Sequence, residues 1–380
     1  MAAARPRAWA LIDGEHHPAV VRAAIAAWSD RYDIERAIFV AGGDKADGTA
    51  DYGVPVAAAS DAAPAALGEP AVVVDLCDDD PPEGKLGRAA RFLGRGIAVH
   101  GADYRLDPPS LVRYDASPSV AVIGTRKRVG KTAVAGHLAR LLGPDGVVIV
   151  AMGRGGPAEP QVARPGTALG ELLDRSRRGE HASSDYLEGA ALAGVTTVGC
   201  RRAGVGLGGA VAYSTVPAAA RVAAALAPRV TIFEGSGSAV PPVRCDRVVL
   251  VADGRGGDHA WRERADLVVR IGRDASLQPR AVDPPAGERL AFLTTGPAGA
   301  AEGLESRPAF VSTNLARRSA LRADLERFAA GGCDGVLTEL KAGAIDTAAE
   351  WAVARGLPVG FVANVPVGKG LDDALRGLLA

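Results

Sequence analysis

Short apolar runs alternate with stretches of helical spacing along the whole chain. Ala8-Trp-Ala-Leu-Ile12, Ala37-Ile-Phe-Val40, Ala71-Val-Val-Val74 and Ile97-Ala-Val99 read as strands, and residues 18 to 29 as a helix after the first of them. A second series runs through Val120-Ala-Val-Ile123, Val147-Val-Ile-Val-Ala151, Val230-Thr-Ile-Phe233, Arg247-Val-Val-Leu-Val251 and Leu267-Val-Val-Arg-Ile271. The tail adds Gly335-Val-Leu337, a helix over 344 to 355 and Val359-Gly-Phe-Val362. Strands that alternate with helices pair in one direction, because each crossover returns the chain to the same end of the sheet. The pattern predicts an α/β protein in two parts, joined by the proline-rich stretch from Leu106-Asp-Pro-Pro109 to Ser117-Pro118. Residues 1–115 form a Rossmann-like N-terminal domain. Residues 116–380 form a second domain with a mostly parallel sheet.

The start of the second domain declares its chemistry. Gly-Thr-Arg-Lys-Arg-Val-Gly-Lys-Thr, residues 124 to 132, follows one apolar run and precedes the helical spacing of residues 133 to 142. Strand, glycine-containing loop and helix make a phosphate loop, so this is a P-loop NTPase domain. Its backbone N–H groups and the positive end of the helix cradle phosphates. The expected nucleotide contacts are Gly124, Thr125, Arg126, Val129, Gly130, Lys131 and Thr132. Lys131 reaches the β and γ phosphates, and the Thr132 hydroxyl ligates Mg²⁺. The common pattern would place glycine at 125; here that residue is Thr125 and the glycine stands one earlier. Phe233-Glu-Gly-Ser-Gly237 ends a strand on a glycine turn, and Glu234 is positioned either to reach the same Mg²⁺ or to cap the next helix. Asn364, at a strand end, is either an adenine contact or a turn former.

The loop holds more cations than a nucleotide needs. Arg126, Lys127 and Arg128 precede Lys131, and two further Gly/Arg turns, Met152-Gly-Arg-Gly-Gly156 and Gly199-Cys-Arg-Arg202, follow. Either these are solvated side chains or a second anionic molecule sits beside the γ-phosphate. On the second reading Lys127, Arg128 and Arg154 join Lys131 in catalysis, and Arg154, Arg201 and Arg202 hold a polyphosphorylated substrate. Arg175, Arg177 and Arg178 have acidic neighbours and read as a solvated helix face. In the N-terminal domain, strand ends bear Asp13-Gly-Glu-His-His17, Gly42-Gly-Asp44 and Asp75. Ligands of open α/β sheets bind at such ends, so Asp13, Glu15 and His16 are candidate substrate contacts, with helix capping or turn formation as the alternative. The glycine-dense run Ala203-Gly-Val-Gly-Leu-Gly-Gly209 reads as a lid or a second phosphate-wrapping loop.

Composition narrows the classes. The chain has 380 residues, with Lys+Arg and Asp+Glu both at 44. A formal net charge of zero gives no global field for nucleic acid or membrane, so any anion site is local. No apolar stretch approaches the roughly 20 residues that span a bilayer, and a cytoplasmic protein is expected. Cys77, Cys200, Cys245 and Cys333 lack metal-ligand spacing and read as reduced packing residues.

The phosphate-loop frame GTxxxVGKT and the Glu-Gly-Ser-Gly turn resemble dethiobiotin synthetase. A fuller resemblance is to the cyclic 2,3-diphosphoglycerate synthetase family. It rests on Ala10-Leu-Ile-Asp-Gly-Glu-His16, Val122 through Thr132, Met152-Gly-Arg-Gly-Gly-Pro157 and Ala182-Ser-Ser-Asp-Tyr186. Gly199-Cys-Arg-Arg202, Glu234-Gly-Ser-Gly237 with Pro241-Pro242, and Thr338-Glu-Leu-Lys341 complete it. The resemblance implies ATP-driven closure of 2,3-diphosphoglycerate to its cyclic phosphoanhydride, with ADP and phosphate released. ATP and Mg²⁺ are then the cofactors and a small phosphorylated acid the partner, without nucleic acid or membrane; a homodimer stays open. The alternatives are a 2-phosphoglycerate kinase, another small-carboxylate ligase, and a nucleotide-switch binding protein.

Overall fold

Strand β1 (Arg7–Asp13) is buried along all but its first residue, as a run covered on both faces requires. The computed structural model describes residues 4–41, 45, 49–58, 69–78, 82–254 and 259–379, so the cluster Gly42-Gly-Asp44 lies outside the described residues. The chain forms two compact units: Met1–Ser110 with Gly206–Ala210 and His259–Arg264, and the remainder.

In the first unit β1 is followed by α1 (Pro18–Trp28), β2 (Asp33–Ala41), β3 (Val56–Ala58), β4 (Val72–Asp75), α2 (Pro82–Gly94), β5 (Ala98–His100) and β6 (Arg105–Leu106). The sheet order is β3-β2-β1-β4-β5-β6, parallel except for β6. From β1 the chain moves toward one edge and from β4 toward the other. The carboxyl ends of β1 and β4 are therefore the switch point at which open sheets bind ligands. The glycine-dense run, expected as a lid or phosphate loop, has its centre packed into this unit instead. A Cβ on Gly208 would lie 2.6 Å from Leu93 Cβ, and the Gly208 carbonyl accepts the indole N–H of Trp261 at 2.9 Å. Glycine there permits close approach of two backbones.

The second unit contains β7 (Val112–Arg113), β8 (Ser119–Gly124), α3 (Lys131–Leu141), β9 (Val147–Gly153), β10 (Gln161–Ala163), α4 (Leu169–Arg177), α5 (Asp185–Glu188), β11 (Thr196–Ala203), β12 (Tyr213–Ser214), α6 (Val216–Ala225), β13 (Val230–Glu234), β14 (Val243–Arg244), β15 (Arg247–Asp253) and β16 (Leu267–Ile271). Its main sheet runs β10-β11-β9-β13-β8-β15-β16 with β10 and β12 antiparallel to β11. The phosphate-loop strand β8 lies at the interior, between β13 and β15. Residues 199–202, read from sequence as a turn, lie within β11, because the apolar positions Val198 and Cys200 are buried against α6 while the intervening residues face the other way.

A third sheet follows: β17 (Ser276–Val282), β18 (Leu290–Leu293), β19 (Phe310–Ser312), β20 (Gly335–Glu339) and β21 (Val359–Val367), with α7 (Arg318–Ala330) before β20. Its order is β17-β21-β20-β18-β19, parallel except for β17. The helix expected over 344 to 355 begins as a π-helical turn, Ala344–Ala349. Elements flanking the two sheets share one core: Val134 and Leu138 of α3, Leu187 of α5 and Ala190 just after it join Leu340, Ile345 and Ala349. Each fully buried valine, leucine or isoleucine among them contributes about 1.5–3 kcal/mol.

Close packing around β11 generates a test. A Cβ on Gly156 would lie 2.0 Å from the Cys200 carbonyl oxygen, a backbone atom that cannot swing away. Gly156→Ala should lower stability by about 1–3 kcal/mol, the usual cost of overpacking, read as a fall in melting temperature by circular dichroism. An unchanged melting temperature would show that the loop after β9 can move away from β11 at this point.

Candidate functional site

Between β8 and α3 the chain must reverse tightly and still expose its N–H groups. Arg128 and Gly130 take positive φ, 62° and 105°, and Gly130 sits at the cap of α3. Thr125 N–H donates to the Val251 carbonyl at 3.1 Å, tying the loop to β15. The Lys131 side chain folds back under the loop, where Nζ donates to the Arg126 carbonyl at 2.9 Å. Glycine at 124 makes this fit, since a Cβ there would meet Val129 Cγ1 at 2.7 Å and Lys131 Cδ at 3.0 Å. The displaced glycine of the sequence pattern thus makes room for the lysine. Val129 is buried, Lys127 and Arg128 are exposed, and Arg126 pairs with Asp253 at the end of β15, Nε to Oδ1 at 3.1 Å.

Thr132 and Glu234 meet: the Thr132 hydroxyl donates to Glu234 Oε1 at 2.5 Å. Both Lys131 and Glu234 are buried. Burial pushes the Glu234 carboxyl up, aided by Asp185, and burial pushes the Lys131 ammonium down against the pull of Glu234 and Asp185. Asp185, which no spacing rule singled out, acts on both groups from the first turn of α5. Its signal in the sequence was the Ser-Ser-Asp segment ahead of a helical run.

The arginines separate. Arg202 is buried; its Nη2 donates to the Ser236 carbonyl at 2.6 Å and Nη1 to the Gly204 carbonyl at 3.0 Å, while Nε has no partner among the described residues. Gly237, at φ 65°, lies beneath two guanidinium groups: a Cβ there would be 3.2 Å from Arg202 Nη2 and 3.6 Å from Arg154 Nη2. Arg154 and Arg202 both act on Lys131. Arg201 points to the opposite face of β11, where Nε donates to the Gly156 carbonyl at 3.0 Å. Two adjacent arginines on a strand cannot share a site on one face.

At the end of α5, Glu188 Oε1 lies 3.3 Å from Lys341 Nζ. Glu188 Oε2 is buried without a partner among the described residues, and burial pushes this carboxyl up to about 7 against the pull of Lys341. Glu339, at the end of β20, accepts from Thr295 N and Oγ1 at 2.7 and 2.9 Å and from Asn364 Nδ2 at 2.7 Å. Asn364, expected at a strand end as an adenine contact or a turn former, instead lies within β21, with its amide donor engaged by Glu339. Asn364 lines a narrow crevice with Thr132, Gly136, Arg140 and Glu188.

In the first unit, Asp13 is buried at the end of β1. Its Oδ1 accepts from Glu15 N at 3.1 Å and lies 3.3 Å from His16 Nδ1, and its Oδ2 accepts from Asp78 N at 2.7 Å. His16 Nε2 is 3.2 Å from Asp78 Oδ2. Asp75, at the end of β4, accepts from Cys77 N at 3.1 Å and from the Tyr104 hydroxyl at 2.5 Å. These carboxylates shape turns at the switch point, and Glu15 is exposed.

Three family models match in succession: "Cyclic 2,3-diphosphoglycerate synthetase, N-terminal domain" over residues 7–107, its P-loop domain over 119–257 and its C-terminal domain over 282–365. A cyclic 2,3-diphosphoglycerate synthetase of Rubrobacter xylanophilus is 40% identical, covering 97% of this chain and 96% of its own length. The chain belongs to the cyclic 2,3-diphosphoglycerate synthetase family. Synthetases of Thermococcus onnurineus, 35% identical, and Methanothermobacter thermautotrophicus, 33% identical, also align over 96–97% of the chain, with 97% and 94% of their own lengths covered. Within the family's divisions, Lys131, Thr132, Arg154, Asp185, Glu188, Arg202 and Glu234 belong to the P-loop domain, whereas Thr295, Glu339, Lys341 and Asn364 belong to the C-terminal domain. No helix among the described residues is long and apolar enough to cross a membrane.

The raised Glu188 carboxyl fixes the sign of a pH effect. A folded-state value near 7 against an ordinary 4.5 means that folding favours the neutral acid. Its stabilisation is complete below about 4.5 and is lost as pH rises through about 7. The metal-free melting temperature should fall across that window, and Glu188→Gln should flatten the fall, Glu234 supplying a remainder of the same sign. An identical slope in the variant would exclude Glu188 as its source.

Proposed function

We propose that this enzyme uses ATP to close 2,3-diphosphoglycerate into its cyclic phosphoanhydride, with the phosphate loop and the Arg154–Arg202 pair as its two anion sites. The observation behind this reading is the convergence of both guanidinium groups over Gly237, three residues beyond Glu234. ATP binding follows from the P-loop domain. The loop from Gly124 to Thr132 cradles its phosphates, and Lys131 places its charge on the transferring group.

The donor set fits Mg²⁺. Thr132 Oγ1 and Glu234 already touch, and Asp185 acts on Glu234; all three present oxygen, which a hard divalent cation prefers. They would hold the ion, which when bound neutralises charge on the β and γ phosphates. Buried carboxylates left beside a polyphosphate would otherwise repel it.

Joining two phosphates of one molecule requires one to acquire a leaving group. An oxygen of the first substrate phosphate attacks the γ-phosphorus of ATP, and the bond to ADP breaks. The second substrate phosphate then attacks the inner phosphorus of the resulting diphosphate and expels inorganic phosphate. A phosphate dianion needs no general base, so the demand on the protein is placement and charge. Arg154 and Arg202 hold the substrate phosphate nearest the loop, with the exposed Lys127 and Arg128 able to close on it. Arg201 is engaged on the other face of its strand. Asp13, Glu15 and His16 stay candidate substrate contacts by their place at the switch point of the N-terminal sheet. Such an enzyme draws on cytoplasmic ATP and needs neither nucleic acid nor membrane. Residues 1–115 serve as a domain distinct from the catalytic 116–380.

Phosphorus NMR of the protein with ATP, Mg²⁺ and 2,3-diphosphoglycerate tests the whole. The two substrate resonances should give way to those of a ring anhydride, ADP and phosphate. Conversion of 2-phosphoglycerate to 2,3-diphosphoglycerate with no ring formed would establish the kinase instead. Lys131→Ala should lower turnover about 10²- to 10³-fold, as for other transition-state contacts; retention of more than roughly a tenth of activity refutes its role. Arg154→Met should weaken 2,3-diphosphoglycerate about ten- to a hundredfold, the value of a charge-assisted contact of roughly 1.5–3 kcal/mol. ATP affinity should hold, and Arg201→Met should change neither. Calorimetry with each ligand decides, and equal losses for both ligands in Arg154→Met would dissolve the second anion site.

A further inference from the structure

The Glu188–Lys341 pair has no place in the chemistry above, yet it joins the two sheets of the second unit. We propose that Lys341, from the end of the third sheet, is a positioning residue for the phosphate-loop metal site, acting through Glu188 and the short helix α5. The proposal rests on the reading of Thr132, Glu234 and Asp185 as the Mg²⁺ site.

Stability alone does not explain the pair. Glu188 is buried and one of its oxygens has no partner, so it bears a desolvation cost that a leucine or methionine would avoid. Its location is informative. α5 spans only Asp185–Glu188, one turn, so the residue that acts on Lys131 and Glu234 and the residue that meets Lys341 move as one piece. Glu188 lines the same crevice as Thr132. Lys341 is fixed from its other side by sequence: it lies two residues beyond Glu339, which Thr295 and Asn364 hold in place.

The backbone on each side is unusual in the same way. Glu188 is followed at once by a π-helical turn, Gly189–Ala193, and Lys341 is followed by another, Ala344–Ala349, in which Ala348 N–H reaches back five residues to the Gly343 carbonyl at 3.0 Å. Such wide turns are rare, cost helix stability and gather at functional sites. Two of them flanking one ion pair fix the direction from which each partner enters. Lys341 therefore sets where α5 stands, and α5 sets where Asp185 stands relative to Glu234.

The test is the gain in ADP affinity that Mg²⁺ confers, measured by calorimetry with and without the ion. Lys341→Met should cut that gain about tenfold, the equivalent of about 1.4 kcal/mol, while metal-free ADP affinity stays the same. Lys341→Arg should restore it to within about threefold, the charge being kept. Glu188→Gln, which leaves Lys341 the Glu339 carboxylate, should cut the gain in the same direction. The double variant should be no worse than the poorer single one, because both act through one contact. If Lys341→Met lowers only the melting temperature and leaves the Mg²⁺ gain within about twofold, the pair is structural and the inference fails; should that variant not fold, the same outcome in Glu188→Gln overturns it. Glu234→Gln separates the two levels. Loss of the gain there with none in the pair variants refutes only the positioning role, whereas no loss in Glu234→Gln refutes the metal reading itself.

Discussion

The ammonium of Lys131 is buried beneath the loop that bears it, and the rest of the site answers to that burial. An isolated charge removed from water is very costly, so a carbonyl and at least one carboxylate must stand close. The Arg126 carbonyl supplies the first and Glu234 the second. Glu234 is itself buried and needs a donor, which is Thr132, the next residue after Lys131. Glycine at 124 and a left-handed residue at 130 are what the backbone concedes for this fold-back. The adjoining carboxylates, Asp185 and Glu188, extend the same balance outward until Lys341 closes it from the third sheet.

The parts of this arrangement that were legible in the sequence are those in which chemistry and chain are contiguous. The phosphate loop is nine consecutive residues flanked by a strand and a helix, and Glu234 announces itself by a strand that ends on a glycine turn. Strands β1 and β4 were equally plain, being apolar runs buried on both faces. The third sheet was half hidden. β17 contains proline and arginine, and β19 is three residues long, so neither displays a run. Its π-helical segment mimics an α-helical pattern at either end.

Asp185, Glu188, Glu339 and Lys341 could not be assembled from spacing, because about 150 residues separate the two halves of the contact and only packing of α5 against the third sheet brings them together. Each residue taken alone has an ordinary reading: a helix-start aspartate, a helix glutamate, a strand-end glutamate, a loop lysine. The reverse error occurred at residues 199 to 202, where glycine and paired arginines suggested a turn. The glycine is there because the Tyr186 ring lies against it, at 2.6 Å from where a Cβ would stand. Asp13 shows a third case, at the expected strand end but with its carboxylate oxygens already engaged by neighbours, and Asn364 lies inside β21 rather than at its end, its amide held by Glu339.

Arg202 and Arg201 differ by one position, and which of them meets Arg154 depends on the pairing of β11 with β9. That pairing sets Cys200 opposite Met152 and Arg201 opposite Gly153. A slip of one residue would turn every side chain of the strand over, exchanging the two guanidinium groups and driving Val198 and Cys200 out of their core. The apolar residues would resist such a slip even though the arginines, equal in charge and shape, could not. Discrimination between two chemically identical groups is thus delegated to the oily side of the strand, and a substitution at Val198 is able to blur the anion site without altering any residue in it.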